Sequence, residues 1–575
     1  MHKFSLLVVL TLSVTQPSFA ENLLIETEQG ECAYHQPGVK NVYWGDLHVH
    51  SGYSLDAWGY GTSATPADAY AFAQGEPMLL PNGTMAALDR PLDFMAVTDH
   101  AEWFDLLYIC SDPRWSDASY CNTMTEKNDP INGREVFTEY VIPTITKAKP
   151  EPTSLCESDN EGCASAKAHQ WGRIQAQTHQ ANAPCTFTTF AAFEWSATPD
   201  FSHNHRNIIF ANEHVTPDAL DYLTYPTPLK LWQALEQQCR AAEGCDAIAI
   251  PHNTNMGDGK SFDVETETID TLSLRARFER LIEIHQQKGN SECLPAFNNS
   301  DEDCNFETYL TLNSVPTAAE TFTETQWERM RGSYVRSLLL RGLRAYENSG
   351  DKPVNPLQLG LIGSTDTHAA TGGFVEEDQW LGSVFGLGDL DRTMTRVDFN
   401  PGGLVAVWAE ENTRSSIFGA LKQREVYATS GPRIRARVYA NEGPVSCSNP
   451  QGVGMGSVLS PNTVNPHFLI QAQYDRTPLQ RIEIIKGELI EGETTETVQT
   501  IWQSPEGGLD VCVTWQDPQF NPRSPAFWYV RVIEAPTPRW SEHRCLAEER
   551  CDEFPQARKT VRERAWTSPI WFLPD

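Results

Sequence analysis

The sequence predicts an α/β protein: a parallel barrel with its chemistry gathered at one rim, followed by a smaller all-β region. Three observations carry that reading. Up to about residue 432, hydrophobic strand patterns alternate with helical ones. Several of those strands stop on a His, Asp or Glu, and the carboxyl ends of buried parallel strands are where α/β enzymes display reactive groups. Beyond Pro432 the pattern changes to short alternating runs parted by Pro and Gly, as in antiparallel sheet.

Residues 1–20 read as a signal peptide, with Lys3, an apolar run from Leu6 to Val14 interrupted by Thr11 and Ser13, and Ser18-Phe19-Ala20 at the cleavage point. The run is too short to cross a bilayer, which takes ~20 apolar residues, and no other stretch approaches that length. A periplasmic or secreted protein cleaved after Ala20, with no membrane partner, is therefore expected. Fourteen cysteines agree with export, because disulfides persist in oxidising compartments. Cys110 with Cys121, Cys156 with Cys163, Cys239 with Cys245, Cys293 with Cys304 and Cys545 with Cys551 are close enough in sequence to staple loops. Cys32, Cys185, Cys447 and Cys512 are left for longer-range pairs whose connectivity stays open. No Cys-x-x-Cys occurs, so neither a thiolate zinc site nor a redox motif is expected. A formal charge of −32 argues against a protein that embraces a nucleic-acid duplex.

The first strand leads into Trp44-Gly-Asp-Leu-His48-Val-His50-Ser-Gly-Tyr-Ser-Leu-Asp56. Strand side chains repeat every second residue, so His48 and His50 face one side and can share an ion. Asp56, beyond a Ser-Gly-Tyr-Ser turn, is placed to return a hard oxygen ligand to the same centre. Thr65, Pro66 and Gly75 then frame a helix as N-cap, first turn and end. Pro91 to His100 is an apolar strand ending on Asp99 and His100. Residues 101–163 lack periodicity and hold four cysteines, so they read as a disulfide-pinned excursion on the active face.

A helix over about 164–180 precedes Thr186 to Trp195, a β-branched and aromatic strand that ends on Glu194. Phe201 to Phe210 adds His203, His205 and Arg206 beside another short strand. The helix 227–242 opens with Pro228 and leads to Asp246–Asn253, another hydrophobic run that stops on His252. Residues 278–288 are ambiguous between helix end and strand; the barrel needs a strand there, carrying Glu283. The stretch 285–330 reads as a second disulfide-bearing insertion, and 327–346 as a helix. Leu357 to His368 then repeats the design with Asp366 and His368 two apart, and a helix over 413–424 closes the domain. Residues 433–575 read as a β sandwich.

Taken in order, Asp46-Leu-His48-Val-His50, Thr98-Asp99-His100, Glu194 with His205, Pro251-His252-Asn253 and Asp366-Thr-His368 resemble the motifs of the polymerase and histidinol phosphatase (PHP) superfamily of metal-dependent phosphoesterases. Most of residues 40–570, with the Gly363–His368 context and the Tyr427–Pro432 passage, is similar to its exported branch, the DUF3604 family. The resemblance implies a distorted seven-stranded β/α barrel over 21–432 with three divalent ions, Zn, Mn or Fe. His48, His50, Glu194 and Asp366 would hold one ion; Glu194, His205 and His252 the second; Asp56, His100 and His368 the third. Many relatives place a histidine where this chain has Asp56, and an oxygen ligand there favours a harder metal such as Mn or Fe without excluding Zn. His203, two residues from His205 on the same side, competes with it for the ligand role.

Carboxylate-bridged cations bring a water's pKa toward neutrality and hold phosphoryl oxygens, so the expected activity is hydrolysis of a small phosphomonoester or phosphodiester. Asp99 is expected to orient a ligand histidine. Glu102, His203, Arg206, Asn253 and Glu283 are candidates for substrate contact or proton delivery. Two rival readings remain at this level: hydrolysis of C–N or ester bonds by the same centre, and a metal-stabilised protein that binds glycans or surface polymers without turnover. Oligomeric state is not legible.

Overall fold

A computed structural model describes residues 32–111, 119–126, 133–153, 155–156, 160–262, 264–294, 301–309, 329–350 and 353–574. The expected signal peptide and parts of both expected insertions lie outside the described residues.

The expected helices form where their end signals stand. Thr65 caps Pro66–Ala73 in a capping box with Asp68. Thr227 caps Pro228–Gln238, and Thr413 caps Arg414–Gln423. Asn160–Ala181 and Val335–Asn348 are the two longest helices among the described residues. The ambiguous stretch divides: Phe278 closes the helix Ile269–Phe278, and Leu281–Gln286 is a fully buried strand.

The strands form a mixed α/β array. Asn41–Asp46 pairs in parallel with Phe94–Met95, which pairs in parallel with Thr188–Thr189. Leu281–Gln286 and Gly360–Gly363 are also parallel. Ala192–Trp195, His205–Phe210 and Ala247–His252 run antiparallel instead, as do Asn41–Asp46 and Leu404–Ala409. This departs from an all-parallel pattern for a local reason. The link between Trp195 and His205 contains only the 3-10 turn Pro199–Phe201, and parallel neighbours need a crossover of a dozen or more residues.

The C-terminal strands continue the sheet of the first half. Val426–Thr429 pairs antiparallel with Arg564–Thr567, which pairs with Ala526–Glu534, and that strand with Leu479–Ile490, within a ten-stranded sheet. A four-stranded antiparallel sheet covers one of its faces, and Val438, Phe468 and Ile470 pack there with Ile484, Trp528 and Val530. Burying such aliphatic and aromatic side chains contributes roughly 1.5–3 kcal/mol each.

All five neighbouring cysteine pairs are disulfides, and the other four cysteines pair as Cys32–Cys185 and Cys447–Cys512. Seven disulfides fit an oxidising, exported compartment. No helix of the described residues is long and apolar enough to cross a membrane. Cys32–Cys185 closes a separation of 153 residues. The double variant Cys32→Ser, Cys185→Ser is expected to lose about 2–5 kcal/mol, read as a lower denaturant midpoint at unchanged slope.

Candidate metal centre

Fifteen residues were singled out by the sequence, and nine of them converge on one buried cage. The alternation of the first strand carries through Leu47 and Val49, which are buried in the core, and leaves His48 and His50 on the other side. Beside them, the bridge between Val49 and Thr367 brings Asp366 in from the distant Gly360–Gly363 strand. Two backbone bonds lock that register: Asp366 N–H donates to the His48 carbonyl and His50 N–H to the Thr367 carbonyl, each at 2.8 Å. Asp366 holds a left-handed φ of 55°, a conformation that costs a non-glycine residue ~1–3 kcal/mol and clusters at functional sites.

Glu194 is the hub. Its Oε2 lies 3.3 Å from the Nε2 of both His48 and His50. Its Oε1 lies 2.6 Å from His205 Nδ1, 3.2 Å from His252 Nε2 and 3.4 Å from His100 Nδ1. The antiparallel hairpin explains this reach, because His205 pairs directly with His252 across the strands. Asp366 Oδ1 stands 3.2 Å from His48 Nε2 and 3.3 Å from His50 Nε2. On the far side of His50, Asp56 Oδ2 lies 3.1 Å from His100 Nε2 and 2.9 Å from His368 Nε2.

These contacts form three groupings whose ligand atoms stand within 4.8 Å of one another: His48, His50 and Glu194; Glu194, His205 and His252; and His50, Asp56, His100 and His368. The last draws in His50 as well as the three residues expected there. Two further groupings, around Asp105 and Asp301, use disulfide-bonded cysteines and offer no thiolate.

The cage fits cations on its own chemistry. His48 Nε2, His50 Nε2, Glu194 Oε2 and Asp366 Oδ1 are buried and have no hydrogen-bond partner among the described residues, although an unpaired buried polar atom costs ~1–3 kcal/mol. Four of the separations between them are 3.2–3.3 Å. Nitrogen and oxygen ligands ~2.0–2.1 Å from one tetrahedral centre stand ~3.3–3.4 Å apart. The second nitrogen of His48 lies 2.9 Å from Glu283 Oε2, an arrangement that turns Nε2 to the cage with its lone pair free.

The electrostatics agree. Burial alone would raise the carboxyl groups of Glu194, Asp366 and Asp56, yet the surrounding imidazoles hold all three well below the usual carboxylate range. Burial, aided by neighbouring rings, lowers His50 to about 3 and His205 and His252 to about 4. Ionised carboxylates and neutral His50, His205 and His252 are the states that cation binding requires. At His48 and His100 the carboxylates outweigh burial and raise both rings, His100 to about 10, so cations would displace those two protons.

The remaining candidates divide. His203, stacked on His205 at 4.6 Å, and Asn253 line the cavity in front of the cage. Four others serve the scaffold. Asp99 does not touch a ligand histidine; its two oxygens take the N–H and hydroxyl of Ser51, each at 2.6 Å, and so fix the turn after His50. Glu102 accepts from the N–H groups of Ser196 and Tyr222, and burial raises its carboxyl to about 7. Arg206 is committed to Glu279 at 2.7 Å and to Asn204. Glu283 lies behind His48 rather than on the cavity wall. Each is buried where its charge needs a local partner, which removes it from substrate reach.

A charged residue in contact with the cage was missed. Lys288 donates to Asp366 Oδ2 and lines the cavity. It stands in the tight turn after the ambiguous strand, and its only signal was that position, because lysine is not a usual metal ligand.

The family model described as "Protein of unknown function (DUF3604)" matches residues 37–507 and 499–574. A search among curated proteins finds no match. Among solved structures, the chain is similar to a two-domain protein containing a predicted PHP-like metal-dependent phosphoesterase from Bacteroides vulgatus. The identity is 11% over 84% of this chain and 98% of that one, with a TM-score of 0.30, too loose a superposition to carry an argument.

Proposed function

The chain belongs to the DUF3604 family, whose description assigns no activity, and we propose that it is a metal-dependent hydrolase of phosphoesters. The observation that supports this most directly is Glu194, whose two oxygens address separate imidazole sets. A carboxylate so placed would bridge two cations, with His48, His50 and Asp366 on one side and His205 and His252 on the other. Asp56, His100 and His368 would hold a third. Cations there supply Lewis acidity and a water ionised near neutrality.

The chain's own residues do the rest. Lys288 presents a fixed positive charge beside Asp366, suited to a phosphoryl oxygen. His203 and Asn253 bound the space in front of the cage, and His203 Nδ1 and Asn253 Oδ1, which have no hydrogen-bond partner among the described residues, are available to a substrate or its leaving group. The reading includes a distorted seven-stranded barrel over residues 21–432, braced by residues 433–575. It also includes export to the periplasm or beyond through the signal peptide of residues 1–20.

The test is elemental analysis of the purified protein together with a panel of p-nitrophenyl phosphate, bis-p-nitrophenyl phosphate, and matched esters and amides. We expect bound Zn, Mn or Fe and turnover of at least one phosphate ester, lost on chelation and restored by metal. Turnover confined to the carboxylic esters or amides, or a protein that takes up no transition metal, would overturn the reading.

A further inference from the structure

The cavity in front of the cage has a volume of about 660 Å³, enough for a whole small molecule rather than a phosphoryl group alone. Its walls change character away from the metal ligands. The Phe385 ring lies 6.4 Å from that of His368 and contacts Tyr60 at 4.6 Å, Phe399 at 5.9 Å and Phe137 at 6.4 Å. A sugar or glycerol body would lose its water against these rings and gain few hydrogen bonds in exchange. An aromatic or alkyl body would gain from stacking and burial.

Beyond the rings the wall becomes cationic. Arg134, Arg392 and Arg396 line the same cavity, whereas its acidic lining residues are Asp56, Glu194 and Asp366, all in the cage. That local excess of positive charge runs against a chain with 76 acidic and 44 basic residues. The Arg396 guanidinium sits 4.4 Å from the Phe399 ring centroid, and its Nη2 donates to the Tyr309 hydroxyl at 2.7 Å. Its 3.5 Å contact with Asp398 is about 40% exposed on both sides, a weak tie that uses one of five donors. Arg134 has no carboxylate partner among the described residues. Ring contacts thus run from His368 through Phe385 and Phe399 to Arg396, joining the cage to a cationic pole.

We propose that the substrate is a phosphate ester whose leaving group is an apolar, ring-bearing or alkyl body carrying a second anionic group, held by Arg396 and Arg134 while the scissile phosphate sits at the cage. This rests on the phosphoester reading above. The second anion is a carboxylate, sulfonate or phosphate; all three accept the same guanidinium donors.

The test compares 2-naphthyl phosphate with 6-sulfo-2-naphthyl phosphate on the metal-replete full-length protein. The sulfonated ester should have the higher kcat/KM by about tenfold, the scale of one charge-assisted contact. Arg396→Gln and Arg134→Gln should each move that ratio toward one. Both side chains are partly exposed, and an unchanged thermal midpoint will establish that the variants fold. A second arm needs no turnover: calorimetry of 6-hydroxy-2-naphthalenesulfonate binding to the full-length protein as purified, with Arg396→Gln expected to weaken Kd about fivefold or more. Equal kcat/KM for the two esters, or a ratio that survives both substitutions, overturns the proposal while leaving the hydrolase reading intact. If no phosphate ester is cut, arginine-dependent sulfonate binding keeps the cationic pole and removes the phosphoester reading; absent binding removes the pole as well.

Discussion

Glu194→Gln should lower kcat by about a thousandfold or more, beyond the ~10²–10³ that follows loss of one electrostatic contact, and the protein should retain fewer metal ions. The substitution changes volume little, so the fold should survive. Its effect is chemical. Gln keeps one acceptor oxygen and replaces the other with an NH₂ donor, so it can face one imidazole set but cannot bridge to the second. It also removes the negative charge that faces the rings of His48, His50, His100, His205 and His252. Glu283→Gln supplies the graded comparison. Glu283 acts through the 2.9 Å contact with His48 Nδ1, and removing such a supporting charge behind a ligand costs ~10–100-fold in affinity or activity. Rates and metal-to-protein ratios for both variants test the order. A Glu194→Gln protein that keeps its full metal complement and its rate would sink the cage as the reactive centre.

The cage was legible because its information is local. His48 and His50 are separated by one residue on a strand, and Asp366 and His368 repeat that spacing, so periodicity alone puts each pair on one face. What periodicity does not encode is which strand lies alongside. A run such as His205–Phe210 is buried throughout and reads the same beside a parallel or an antiparallel partner. Its pairing with Ala192–Trp195 follows from the length of the link. The continuation of the sheet from Val426–Thr429 into Arg564–Thr567 is likewise a long-range pairing that composition does not mark. Charged residues near the motifs misled for a related reason. Glu102 and Arg206 sit close to ligands in sequence and Glu283 lies on a buried strand of the same region, but whether a buried charge faces the cavity or a scaffold partner depends on groups far away, such as Tyr222, Glu279 and His48.

Arg531→Ala should be the most damaging change outside the cage, lowering unfolding free energy by about 3–5 kcal/mol, the usual loss when one member of a buried ion pair is removed. Arg531 is fully buried on the Ala526–Glu534 strand. It donates to both oxygens of Glu292, at 3.1 and 3.0 Å, and of Asp301, at 2.9 and 3.1 Å, and to Glu483 at 2.8 and 2.7 Å. Arg336, Tyr529 and Trp566 complete the donor set around Glu292, so the network spans the segment after the Leu281–Gln286 strand and the C-terminal strands. With Arg531 gone, those carboxylates are left buried and short of charge. The pH dependence has a definite sign. Burial would raise the Glu292 carboxyl, but Arg531 and Arg336 outweigh it and hold the group far below its usual range; Asp301 is lowered for the same reason. A depressed folded-state pKa stabilises fully above the unfolded-state value of ~4.3 for Glu, and that stabilisation drains away as pH falls below it. Denaturant midpoints measured from pH 7 down to pH 3 should therefore fall along an acid limb. In Glu292→Gln the midpoint at pH 7 should be lower and that limb shallower, because the uncharged amide has no proton to take up. An acid limb of unchanged steepness in Glu292→Gln would place the responsible carboxylates elsewhere, and the network would then no longer account for the acid sensitivity.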